Sequence, residues 1–282
     1  MDLPSNALVS AALAGLAAAL ACGLGVLPLF IRGIDPARHR GLGYAVAGGL
    51  MFSASVYNLI LPGMGMDPAT DGWSLGTVSP VILGILLGAA FLALTAKLIH
   101  HDQAHDDLHS GGEAIDYLPA ANLPVRAKGW GGTVGLLVFI AMTIHSIPEG
   151  VAVGVAYTAD AAEKSATGQM GPTMALAIAL HNIPEGLAVA IPLRSAGVSI
   201  GRCFLAAVIT SLPQPIAAVP AVLLAWFFQP LMPLLMGFAA GAMIFLVVLE
   251  LIPEALESES PGKTAWAFTI GFCAMLLVQV LL

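Results

Sequence analysis

The chain has 282 residues, of which 58% are hydrophobic and 10% charged, and its mean hydropathy is +0.91. Soluble domains carry about 25% charged residues, so a soluble fold is excluded, and the apolar residues recur in stretches of about 20, the length a helix needs to cross a bilayer. The net charge is −7, and ten scattered Lys and Arg form no basic stripe, which excludes nucleic acid as a partner.

Apolar runs bounded by Pro, Gly and charge predict eight membrane helices near residues 6–31, 41–61, 78–99, 130–157, 172–193, 200–227, 232–255 and 264–282. The expected fold class is therefore all-α: one polytopic transmembrane domain over residues 1–282. The first run lacks a basic n-region and exceeds a signal-peptide core, so it is read as the first span. Cys22, Cys203 and Cys273 lie in separate spans without a CxxC pair and read as packing residues.

The second span carries Met51, Ser53, Ser55 and Asn58 ahead of Leu61-Pro62-Gly63. After the third comes the one long loop, residues 100–129, which holds four of the seven histidines: His100, His101, His105 and His109. It reads either as a solvated linker or as a disordered, low-affinity metal-collecting segment. The second reading is preferred, because imidazole and carboxylate side chains together suit zinc and its neighbours.

The fourth span contains His145-Ser146-Ile147-Pro148-Glu149-Gly150, and the fifth contains His181-Asn182-Ile183-Pro184-Glu185-Gly186, the same pattern 36 residues later. Each copy lies roughly halfway along its span, where an ionisable side chain costs about 3 kcal/mol or more unless it is paired, solvated or functional. His and Glu four residues apart share one helical face. Two such faces turned toward each other supply two imidazoles and two carboxylates, a donor set suited to zinc or iron. The alternative is a proline-kinked helix pair held by internal Glu–His hydrogen bonds with no metal. Pro148 and Pro184 remove the partners of the Ile144 and Leu180 carbonyls and predict broken helices lining a polar path. Gly150 and Gly186 predict close approach of a neighbouring helix.

Farther along, the sixth span carries Ser211-Leu212-Pro213-Gln214-Pro215, and the seventh ends in Glu250-Leu251-Ile252-Pro253-Glu254. Nine of the ten basic residues (Arg32, Arg38, Arg40, Lys97, Arg126, Lys128, Arg194, Arg202 and Lys263) fall on one side of the eight-span arrangement, and Lys164 falls on the other. Short cytoplasmic loops accumulate Lys and Arg, so the 3–4 loop should be cytoplasmic and both termini non-cytoplasmic. Plasma and organellar membranes both fit.

With these motifs the chain resembles the ZIP (Zrt/Irt-like) family of divalent metal transporters, over essentially all 282 residues. The resemblance rests on HSIPEG, HNIPEG, the GLMFSASVYNLILPG stretch of the second span and GFAAGAMIFLVVLELIPE of the seventh. It implies a 3+2+3 helix bundle, often a homodimer in the lipid bilayer, moving zinc, or else iron, manganese or cadmium, toward the cytosol by an elevator-like motion. The ion is substrate, and no cofactor is expected. The primary ligands would be His145, Glu149, His181 and Glu185. A second ion would meet Ser146 where Asn is usual, together with Asn182 and Gln214, so that site has lost its charge and one ion is expected. Met51 and Asn58 would line the outer half of the path, and Glu250 its exit side. Two other functions are compatible with a buried metal site in a membrane. An intramembrane metal-dependent hydrolase would need an open ligand position and a separate base, and a non-transporting metal sensor would need a readout domain that no loop is long enough to form.

Overall fold

A computed structural model describes residues 5–30, 39–65, 75–108, 132–161 and 169–280. Among the described residues, eight helical stretches are long and apolar enough to cross a membrane: α1 (Asn6–Phe30), α2 (Arg40–Met64), α3 (Val78–Leu98), α4 (Val138–Ala161), α5 (Met170–Ser195), α6 (Ile200–Leu223), α7 (Ala225–Ser258) and α8 (Pro261–Gln279). The spans agree with those expected from the sequence apart from their ends. α7 begins earlier because its first turns, Ala225–Phe228 and the 3-10 turn Gln229–Leu231, are themselves helical, with Trp226 and Phe227 exposed. The helix that contains α3 runs on to Leu108, so His100, His101 and His105 lie on its last turns and not in a linker. His109 and the rest of the expected loop lie outside the described residues.

Two groups of helices emerge from the packing. α1, α4, α5 and α6 pack on one another, while α3 packs on α7 and α2 on both α7 and α8. α5 meets α2, and α4 meets α7, so the two groups touch through the motif-bearing pair. Burial follows the same order: 67% of the α4 window is buried in protein, against 22% for α3 and α8, which face outward. The expected central pair is thus α4–α5, and each of the first three spans packs against one of the last three: α1 with α6, α2 with α8, α3 with α7.

Close approach is made by small residues. A side chain at Gly84 or Gly88 would collide with the α7 backbone at Leu234 and Phe238, and one at Gly237 or Gly241 would collide with the α3 backbone at Val81 and Ile85. In lipid, where apolar burial gives no drive toward association, the close packing that small residues permit is one of the forces that hold helices together.

Helix irregularities do not fall where the motif prolines predict. The helices Gly132–Ala161 and Met170–Ser195 continue through Pro148 and Pro184, so the expected breaks are absent there. Instead the ladder widens to π-turns at Ser55–Ile60 in α2 and Val247–Leu251 in α7, each ending two residues before a proline, and α6 is interrupted at Leu212. Widening by one residue relieves the clash between the proline ring and the carbonyl four residues back. Pro148 and Pro184 are accommodated without it.

Candidate metal centre

His145 and Glu149 project from α4, and His181 and Glu185 from α5, four residues apart in each helix and 0–1% exposed. One donor atom from each lies within 4.8 Å of all the others. The contacts are uneven. Glu149 Oε1 is 2.7 Å from His145 Nε2 and 2.5 Å from His181 Nε2, whereas Glu185 Oε1 is 3.1 Å and 3.6 Å from the same atoms. Glu149 bridges both imidazoles.

Several of these close approaches are not hydrogen bonds. Both ring nitrogens of His145 and both carboxylate oxygens of Glu185 are buried without a hydrogen-bond partner. The atoms crowd toward a common point without aligning donor to acceptor. Buried polar groups left unmatched cost about 1–3 kcal/mol each, so such a cluster persists for another reason. Donors around a tetrahedral zinc lie about 3.3 Å apart, given bonds of about 2.0–2.2 Å. The four separations of 2.5–3.6 Å bracket that value.

Around the cluster the neighbours are neutral amides. Gln214 of α6 donates through Nε2 to Glu149 Oε2 and to Asn182 Oδ1 (3.2 Å). Asn182 donates through Nδ2 to Gln214 Oε1 (3.0 Å) and to the Ala18 carbonyl of α1 (2.9 Å). Ser146 donates to the carbonyls of Met142 (2.8 Å) and Thr210 (3.0 Å), which ties α4 to α6. Gly150 sits against the Gln214 backbone and Gly186 against the Cys22 carbonyl, the close approach expected of both motif glycines. α1 therefore forms a wall of the site.

The remaining expected residues divide. Asn58, in the π-turn of α2, places its amide Nδ2 3.3 Å from His181 Nδ1. Met51 is fully buried, its carbonyl accepting from Ser55 Oγ at 2.8 Å, and it is not among the four donors. Glu250 occupies the π-turn of α7, 5% exposed and near Glu254, also outside the cluster. Two structural residues were missed. Asp160 accepts from the backbone N–H groups of Met170 (3.0 Å) and Gly171 (2.7 Å), pinning the start of α5 to the end of α4. The Ala18 carbonyl carried no side-chain signal at all.

A profile described as "ZIP Zinc transporter" matches residues 100–279. The chain belongs to the ZIP zinc transporter family. This ZIP chain is 37% identical over 264 residues to a putative zinc transporter of Arabidopsis thaliana, covering 94% of itself but 37% of that longer protein. It is 32% identical to the human zinc transporter ZIP11 over 92% of its own length and 93% of the relative's. With the zinc transporter GufA of Myxococcus xanthus it shares 31% over 92% and 94%. These ZIP relatives are named as transporters and not as enzymes, and eight apolar spans make the chain an integral multi-pass membrane protein.

Proposed function

We propose that this chain carries Zn2+ across its membrane toward the cytoplasm, one ion at a time, on His145, Glu149, His181 and Glu185. The observation that carries this reading is the convergence of four buried donors within 4.8 Å on the two central helices. Two ionised carboxylates and two neutral imidazoles carry −2, which a divalent cation neutralises. A second ion would add two uncompensated charges in a low-dielectric setting. Asn182 and Gln214 bond to each other and to Glu149, and so act as neutral supports of the carboxylate. The names of the relatives favour zinc; Fe2+, Mn2+ and Cd2+ fit the same donor set.

The rest of the path is assigned on the resemblance to the ZIP family. Met51 and Asn58 line the outer half, and Glu250 the exit. His100, His101, His105 and His109 collect the ion on the cytoplasmic side. The orientation rests on the one-sided distribution of Lys and Arg, which puts both termini outside the cytoplasm. A homodimer with α3 or α8 at its seam suits the outward faces of those helices. Protons compete for the same imidazoles and carboxylates, so acidification lowers affinity.

The test is uptake into proteoliposomes, with zinc, iron, manganese and cadmium in competition, together with metal content of the purified chain. Wild type should accumulate zinc and bind one ion per chain, and His181→Ala should do neither. Equal uptake by both proteins would refute the site, and two ions per chain the single-ion reading.

A further inference from the structure

The two imidazoles of the cluster differ on their far sides. His145 Nδ1 is buried with no hydrogen-bond partner, whereas His181 Nδ1 faces the Asn58 amide at 3.3 Å. Asn58 belongs to α2, and His181 to α5, so this contact crosses between the two helix groups. From this asymmetry we infer that Asn58 is a positioning residue for His181 whose amide takes opposite roles in the ion-free and ion-loaded states, latching α2 to α5 when the ion is bound. The inference rests on the metal site proposed above.

The chemistry follows from the two faces of one ring. Asn58 Nδ2 lies 3.3 Å from His181 Nδ1, and Glu149 Oε1 lies 2.5 Å from Nε2 on the other side of the ring; when no cation occupies Nε2, a ring proton there suits the carboxylate and leaves Nδ1 to accept from the amide. To bind a cation, Nε2 must offer a lone pair. The ring then carries its proton on Nδ1, which becomes a donor and needs an acceptor. A half-turn of the Asn58 amide presents Oδ1 in place of Nδ2, and the same side chain serves both tautomers with no change in proton number. Metal-bound histidines almost always donate their second N–H to such a partner, which fixes the ring and raises its basicity. Asn58 lies within the π-turn at Ser55–Ile60, a kind of irregularity frequent at functional sites. A residue that only packed the helices together would not need an amide there.

Two substitutions separate the roles. Asn58→Leu keeps the approximate shape and removes both donor and acceptor. Asn58→Asp keeps only the acceptor, and so favours the ion-loaded tautomer and a tighter latch. Each variant and the wild type would be measured in detergent for Zn2+ affinity and melting temperature, and in proteoliposomes for KM and kcat of Zn2+ uptake. Bound Co2+ would report ligand geometry by its visible spectrum. Asn58→Leu should weaken Zn2+ binding about ten- to hundredfold and alter the Co2+ bands. Asn58→Asp should lower KM and also lower kcat, because the ion is held better and the latch releases more slowly. Opposite shifts in affinity for the two variants support the proposal. Unchanged affinity in both overturns it, as do equal losses in both accompanied by lower melting temperatures, which mark a packing role. Failure of the wild type to bind Zn2+ at all would overturn the metal site instead.

Discussion

At the scale of single residues, the asymmetry of the two carboxylates is the most informative feature. Glu149 Oε1 touches both imidazoles and its other oxygen takes a hydrogen bond from Gln214, while Glu185 stands farther from both and accepts none. Removing charge from Glu149 therefore unsettles three side chains, and removing it from Glu185 unsettles two. Glu149→Gln should abolish measurable zinc uptake, whereas Glu185→Gln should leave residual uptake with KM raised about tenfold or more, the loss of one charged contact. Uptake kinetics in proteoliposomes check this. All four donors were legible in the sequence, because a doubled His-x-x-Pro-Glu-Gly at mid-span has few structural explanations. The distinction between the two carboxylates was not, since it depends on which side chain of α6 arrives beside which acid. Ser146 shows the same limit: its position suggested a ligand, but its hydroxyl is directed to the carbonyls of Met142 and Thr210.

Elements show where local rules and packing disagree. Eight spans could be read from apolar run length alone, because lipid requires every backbone group to be satisfied within the helix. The prolines were harder to read. Pro148 and Pro184 suggested broken helices, yet those helices run on, and the widened turns precede Pro62 and Pro253. Proline fixes what a helix loses at one position; neighbouring helices decide how the loss is absorbed. Glycine is more transparent, since each close contact needs a missing side chain. Gly241 lies against the backbone of Ile85, in a stripe shared with Gly237, Gly84 and Gly88. Gly241→Leu should force α3 from α7, a destabilisation of about 1–3 kcal/mol or more. It should lower the melting temperature in detergent by several degrees, whereas Gly262→Leu, where an added Cβ meets nothing within 4 Å, should not. Equal melting of the two variants would mean that the stripe does not hold the pair together.

At the scale of the whole molecule, the division into two helix groups suits the alternating-access motion that the proposed function calls for. The four donors lie wholly within the group α1, α4, α5 and α6, so the ion's ligands travel together if that group slides against α2, α3, α7 and α8. Nothing in the donor set need come apart during the movement, and the contacts that must break are those between groups, such as α5 on α2. This division could not be read from the sequence, because chain order separates α1 from α4 and α3 from α7. Gly43 of α2 offers a place to test it: a Cβ there would lie 2.9 Å from Ile191 Cδ1 of α5, across the seam. Gly48 of α2 has the corresponding relation to Phe268 of α8 inside one group, at 3.7 Å from its ring. With the native cysteines replaced, a short thiol crosslinker should stop zinc uptake in the Gly43→Cys/Ile191→Cys protein and leave it nearly unchanged in the Gly48→Cys/Phe268→Cys protein. A cleavable reagent should restore the first on reduction. Transport that continues with the seam locked would show that the groups need not slide, and that the ion instead passes through a static bundle by local opening around α4 and α5.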